Sequence, residues 1–409
     1  MMLGPWARGL AALAVVAIAG CVPPKQEAGK GGTPAKHQLA MTAVPFTSLP
    51  GWQQDHTAEA LAGFLGSCGA FAATPADQSL GGAGDAAAKG GSPAAWRAAC
   101  AAAGKVPAGN DAAARAFFES TFQPYALADA EEPDATRAQG LFTGYFEPEV
   151  AGNRSPGGQY KTPLLGRPGD LVQVDLGEFI TDLHGRSVTG RVQDGKLVPY
   201  YSRADIEGGA LARRRLELVW LADPIDAFIL QIQGSGRVAL PGGKEVRVSY
   251  AGQNGRPYVP IGRVLADRGQ IPLDQVSLQS IRAWLEAHPS EAAEVMNQNP
   301  SFVFFRELPD QRADIGPPGA LGVPLLPGRS AAVDRDYIPM GAPVFIATTD
   351  PLTGAAWQRL MLAQDRGGAI RGPVRADIFF GWGKEAEARA GKMRQKGTAY
   401  LLLPRGPSA

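Results

Sequence analysis

Two aspartates, Asp365 and Asp377, flank the glycine-bent run Arg366-Gly-Gly-Ala-Ile-Arg-Gly-Pro-Val-Arg-Ala376. A carboxyl among apolar and aromatic neighbours loses hydration, and a second carboxylate nearby disfavours another negative charge, so both effects raise its pKa. A carboxyl that keeps its proton near neutral pH is a general acid. Asp377, inside Ala376-Asp-Ile-Phe-Phe380, fits that description, with Asp365 as the neighbour. The other reading of the pair is two turn caps, since Asp beside Gly often serves that way. To place the pair, the apolar run Arg359-Leu-Met-Leu-Ala363 predicts a buried strand ending near Asp365. Gly367-Gly368 predicts a turn, and Ala376–Phe380 a second strand carrying Asp377.

Other groups suit a neutral, hydroxyl-rich ligand. Gln231 and Gln233 read as alternating along a strand to one face, followed by the tight loop Gln233-Gly-Ser235-Gly236. Gln and Ser both donate and accept, as a sugar hydroxyl requires. Pairing of these Gln residues with edge backbone is the alternative. Tyr145, Phe146 and Trp382 offer flat faces for pyranose rings, or else belong to the core, as aromatics in β-proteins often do. There is no His-Glu-x-x-His, no Cys-x-x-Cys and no cluster among the four His, so neither a metal site nor a cofactor is expected. With 40 basic against 39 acidic residues the chain carries no electrostatic footprint for nucleic acid.

The 409 residues are long for one core, and 45% hydrophobic with 19% charged is ordinary for a globular body. Residues 1–20 read as a secretory signal: Arg8, then an apolar stretch from Ala11, ending Ile18-Ala-Gly-Cys21. That ending resembles a bacterial lipobox, which implies cleavage before Cys21, lipid on its sulfur and a tether over residues 21–46. Val22 after the cysteine favours the outer membrane, facing the periplasm. In that oxidising compartment Cys68 and Cys100 read as a disulfide around an Ala/Gly-rich excursion from Ala73 to Ser92. Amphipathic helices are predicted at 57–66, 93–100, 110–119 and 277–287, and strands across most of 141–259 and again from Phe302.

Several ordered motifs are shared with one family. The pattern Ala332-Val-Asp334-Arg-Asp-Tyr-Ile-Pro339-Met-Gly341, with Asp365 and Asp377, resembles the three-aspartate domain of the membrane-bound lytic murein transglycosylase A family. Upstream, Gly140-Leu-Phe-Thr-Gly-Tyr-Phe-Glu-Pro148, Gln231-Ile-Gln-Gly-Ser-Gly236, Ser249-Tyr-Ala-Gly-Gln-Asn-Gly255 and Asn297-Gln-Asn-Pro-Ser-Phe-Val-Phe-Phe305 are similar to its motifs, in the same order.

The resemblance implies a mainly β, two-domain fold with a groove between the domains. A double-psi β-barrel domain with N-terminal helices would take residues 47–149 and 300–404, and a second β-barrel residues 150–299. It also implies cleavage of peptidoglycan glycan strands between N-acetylmuramic acid and N-acetylglucosamine to 1,6-anhydromuramoyl ends. Asp377 would be the single acid/base, Asp365 its tuning neighbour and Asp334 a supporting aspartate. Tyr145, Phe146, Gln231, Gln233, Ser235 and Trp382 would line the substrate groove. The partners expected are glycan strands, a membrane through the lipid anchor, and other wall-remodelling proteins. A non-catalytic glycan-binding lipoprotein and a hydrolytic glycosidase are the alternatives, the latter needing a second carboxylate such as Glu147 or Glu149.

Overall fold

Helix signals at the N-terminal side translate directly into structure. The computed structural model describes residues 37–180, 183, 187–309 and 314–405, so the expected signal segment, Cys21 and the first part of the tether lie outside the described residues. The end of the expected tether is ordered as strand β1 (Leu39–Ala43). Four helices follow: α1 (Thr57–Ala73), α2 (Gly84–Gly90), α3 (Pro93–Ala103) and α4 (Asp111–Thr121). Pro93 opens α3, where its missing N–H costs nothing. Asn110 caps α4 by accepting from the Ala113 N–H at 2.9 Å. Cys68 on α1 and Cys100 on α3 form a disulfide with Cα atoms 5.5 Å apart across 32 residues of sequence. Closing a loop of that length constrains the unfolded chain by roughly 2–4 kcal/mol. The Ala/Gly-rich stretch inside the loop contains α2.

The chain continues through β2 (Phe122–Asp129), β3 (Gly140–Glu147), β4 (Glu149–Asn153), β5 (Thr162–Leu165), β6 (Val172–Asp175), β7 (Ser187–Gln193) and β8 (Lys196–Pro199). Next come α5 (Arg203–Glu207), β9 (Glu217–Leu221), α6 (Pro224–Gln233), β10 (Ser235–Ala239), β11 (Glu245–Gln253), α7 (Ile261–Asp267), α8 (Leu278–Ala287) and α9 (Pro289–Asn297). The last part is β12 (Val303–Glu307), β13 (Ser330–Val333), β14 (Pro343–Thr349), β15 (Ala356–Asp365), β16 (Arg375–Trp382), α10 (Gly383–Lys392) and β17 (Arg394–Pro404).

Pairing runs β1-β2-β17-β14-β15-β13-β16-β3, and β17 also pairs with β3. The strands β17, β14, β15, β13, β16 and β3 therefore close into a barrel drawn from distant parts of the chain, with β13–β15 and β16–β3 parallel. Helices α1, α3 and α4 pack on it through Phe64, Trp96 and Phe118, joined by Phe122 at the start of β2, all fully buried. Buried Arg329, leading into β13, locks the two together by ion pairs to Asp55 at 2.8 Å and Glu59 at 2.9 Å.

A second sheet, β12-β11-β10-β4-β9-β5, closes through a bridge between Gly166 and Phe305, so the molecule is mainly β with two barrels. Strand β12 pairs with β11 here, although its residues were expected in the first barrel. Helix α6 plugs this barrel with Ala227 and Leu230. It replaces the strand expected around Gln231 and Gln233: Asp223 caps it, Pro224 begins it, and left-handed Gly234 ends it.

Candidate active site

Strand register builds the site. In the first barrel Ala332 on β13 lies opposite Asp365 on β15 and, on its other side, opposite Asp377 on β16, which in turn lies opposite Thr143 on β3. The two aspartates are thus two strand spacings apart, about 9–10 Å of backbone. Their side chains share a face, because Thr143 reaches Asp377 and Tyr145, two residues along the same strand, reaches Asp365. Gly144 between them turns to the other side, where a Cβ would come within 2.9 Å of the Ala390 Cα on α10. Its missing side chain lets α10 press against the back of β3 while Thr143 and Tyr145 face the aspartates.

The two carboxyls have different surroundings. Asp365 Oδ1 accepts from the backbone N–H groups of Ala320 and Arg366, each at 2.9 Å, and Oδ2 accepts from the Tyr145 hydroxyl at 2.8 Å. Asp377 Oδ1 accepts from the Thr143 hydroxyl at 2.6 Å. Burial pushes both above the usual carboxylate range. For Asp377 the charge of Arg375 and the Thr143 bond oppose that rise, and the charge of Asp365 adds to it. Three donors engage the carboxyl of Asp365 against one for Asp377, so hydrogen bonding favours the charged form more strongly at Asp365.

Asp334, just after β13, is buried and accepts from the Gly372 N–H at 2.9 Å and the Asp336 N–H at 3.2 Å. Gly372 has φ +105°, a conformation that glycine adopts without strain. Asp334 thereby ties down the loop joining Asp365 to Asp377 at Gly372.

The second barrel meets the first around the end of β3. Glu147 is fully buried between Arg237 Nε at 2.9 Å and Arg247 Nη2 at 2.9 Å, and Arg237 lies over the Trp382 ring, 4.2 Å from its centroid. Gln233 accepts from the Phe146 N–H at 3.0 Å. Two second-barrel tyrosines come near these groups: Tyr258 lies within electrostatic reach of Asp377, and Tyr250 of Arg366, which follows Asp365. Both are exposed, at 41% and 47%.

Several sequence expectations change here. Phe146 is buried against Ala386 and Ala390, so its ring offers no face to a ligand. Tyr145 is also buried and serves as a donor to Asp365. On a helix, Gln231 and Gln233 point away from each other; Gln231 is buried, and its Oε1 has no hydrogen-bond partner among the described residues. Ser235 is buried in β10. Trp382 remains half-buried beside Tyr145 and Phe379. Thr143, Arg375, Tyr250 and Tyr258 carry no signal of their own in the sequence. Thr143 and Tyr145 do share the two-residue alternation that a strand requires, and Tyr250 lies within the Ser249–Gly255 motif, with Tyr258 three residues beyond it.

Two closed barrels and a pair of differently bonded carboxyls define a class: a two-domain β protein with two neighbouring aspartates on one face of its first barrel. Comparison with known proteins places the chain within that class. Residues 141–306 match the MltA specific insert domain and residues 329–403 the 3D domain. The crystal structure of MltA from Neisseria gonorrhoeae, monoclinic form, is 35% identical with a TM-score of 0.72, covering 91% of this chain and 96% of that one. A membrane-bound lytic murein transglycosylase from Agrobacterium tumefaciens is 33% identical with a TM-score of 0.76, over 90% and 98%. Escherichia coli MltA with bound chitohexaose is 32% identical with a TM-score of 0.57, over 73% and 79%. Among curated proteins, membrane-bound lytic murein transglycosylase A of Vibrio cholerae is 33% identical over 64% of this chain, which spans 65% of that protein's length. The chain belongs to the membrane-bound lytic murein transglycosylase A family.

Proposed function

We propose that this protein is a lytic transglycosylase of peptidoglycan that uses Asp377 as its single acid/base. The observation that carries the reading is the inequality of the carboxyls: Asp365 is held by three donors and Asp377 by one. Asp377 protonates the oxygen linking N-acetylmuramic acid to N-acetylglucosamine as the C1–O bond breaks. The resulting carboxylate then takes the proton of the muramoyl C6 hydroxyl, whose oxygen forms a bond to C1. The product is a 1,6-anhydromuramoyl end, no water is consumed, and Asp377 is protonated again. One carboxyl serves both steps because they are sequential and the nucleophile is already in the same sugar. Asp365 tunes Asp377, and Asp334 holds the intervening loop.

A hydrolytic glycosidase would need a second free carboxylate. Glu147 is neutralised between two arginines and Glu149 is exposed on β4, which speaks against that reading. Tyr250, Tyr258 and Trp382 offer the faces and hydroxyls that a glycan strand would meet, in keeping with the chitohexaose bound by the Escherichia coli relative. Lipidation at Cys21 would hold the enzyme on the outer membrane, facing the wall. Digestion of purified peptidoglycan followed by mass spectrometry tests the activity: anhydromuramoyl ends support it, whereas reducing ends, or intact glycan, would overturn it.

A further inference from the structure

Arg375 is half-buried near Asp377, yet its guanidinium makes no carboxylate ion pair among the described residues. Nη1 donates to the carbonyls of Leu141 at 3.2 Å and Ala376 at 2.5 Å, and Nη2 donates to Thr143 Oγ1 at 2.8 Å. A guanidinium can only donate, so Thr143 Oγ1 is an acceptor there. Its single hydrogen is then free for its other close partner, Asp377 Oδ1, at 2.6 Å. Oδ1 accepts that hydrogen, and because the carbonyl oxygen of a carboxylic acid accepts better than its hydroxyl oxygen, the bond favours Oδ1 as the unprotonated oxygen. The carboxylic proton is therefore on Oδ2, the oxygen that no protein donor engages among the described residues.

Resting on the assignment of Asp377 as the acid/base, we propose that Arg375 and Thr143 are positioning residues that keep the transferable proton on Asp377 Oδ2 and supply a counter-charge when it leaves. Both halves of the reaction need this. The acid step requires the proton on a known oxygen, and the base step requires the carboxylate to be tolerable in a buried site. The groups facing Asp377 divide accordingly. Arg375 on its own strand and Thr143 on β3 favour the carboxylate; Asp365 on β15 favours the acid; and Tyr145 on β3 and Tyr258 from the second barrel stay neutral, their phenols pushed up by burial and by these carboxylates.

The test compares Thr143→Val, Thr143→Ser and Arg375→Gln with wild type across pH, reading anhydromuropeptide release from peptidoglycan. Activity falls as pH rises through the Asp377 pKa, because the acid must start protonated. Thr143→Val removes a hydrogen bond to the carboxylate, so this falling limb moves to higher pH by about one unit and the plateau rate drops about 10- to 100-fold. Thr143→Ser restores both, since it keeps the hydroxyl. Arg375→Gln, which removes the counter-charge, moves the limb in the same direction.

An unmoved limb in both Thr143→Val and Arg375→Gln overturns the proposal, and so does failure of Thr143→Ser to rescue a variant that melts and binds glycan like wild type. Asp377→Asn, run alongside, separates the two levels. If it retains wild-type release, the acid/base assignment fails; if it is inactive while Thr143→Val behaves as wild type, only the positioning role fails.

Discussion

The Tyr145 hydroxyl donates to Asp365 Oδ2 over 2.8 Å, a bond that favours the carboxylate of Asp365 against the burial that disfavours it. That charge raises the Asp377 pKa. Asp365→Asn removes it, so the Asp377 pKa falls, and the limb on which activity is lost as pH rises moves toward acid. The direction is opposite to that expected for Thr143→Val. A pH profile of anhydromuropeptide release checks it, and a limb that moves toward alkali would remove Asp365 from its tuning role.

How much of this arrangement is legible in the chain depends on how far apart the cooperating residues are. The runs Arg359–Ala363 and Ala376–Phe380 are apolar enough to identify β15 and β16, and the Gly367-Gly368 pair marks the turn that separates Asp365 from Asp377. The partnership of Thr143 with Asp377 spans 234 residues and depends on the parallel register of β3 and β16, which no local pattern encodes. Helix α6 was hidden for a different reason. Its Phe228-Ile-Leu230 run is apolar on every side because the helix is buried, so the 3.6-residue period is lost and the run resembles a strand. Its Asp223 cap, Pro224 and Gly234 were visible signals that outweigh the run. The burial of Phe146 follows from α10 packing on β3, and that of Glu147 from Arg237 and Arg247 of the second barrel, tertiary effects beyond any sequence window.

Glu147 is the hinge of that junction electrostatically, since it neutralises Arg237 and Arg247 at once. Glu147→Ala removes the carboxylate that two buried guanidinium groups share, a loss of about 3–5 kcal/mol. The midpoint of denaturant unfolding should drop accordingly, and activity should fall because Trp382 loses its stacked, ion-paired Arg237. A midpoint equal to wild type would show that water or another group takes over the pairing.

The Ile18-Ala-Gly-Cys21 ending leads to a prediction about the compartment. Cells expressing the full chain should incorporate labelled palmitate into this protein and retain it with membranes. Cys21→Ala should abolish the label and release the protein into the soluble periplasmic fraction. Undiminished labelling of the substituted protein would rule out Cys21 as the lipid attachment point.

Asp377→Asn gives two readouts with different signs. Activity should fall by at least about two to four orders of magnitude, because the amide preserves shape but cannot shuttle the proton, while binding of glycan stays close to wild type. Stability should move the other way. The Asp377 pKa is raised in the folded protein, so the fold loses stability as the group ionises: the cost is absent below the unfolded carboxylate pKa, grows as pH rises from there, and is complete once pH has passed the folded pKa. Below the carboxylate range the variant and wild type should melt together. Toward neutral pH the variant should become the more stable of the two, by an increasing margin. A variant that gained no stability between acid and neutral pH would show that Asp377 is not strained by its burial, and wild-type release of anhydromuropeptides would transfer the catalytic assignment to Asp365.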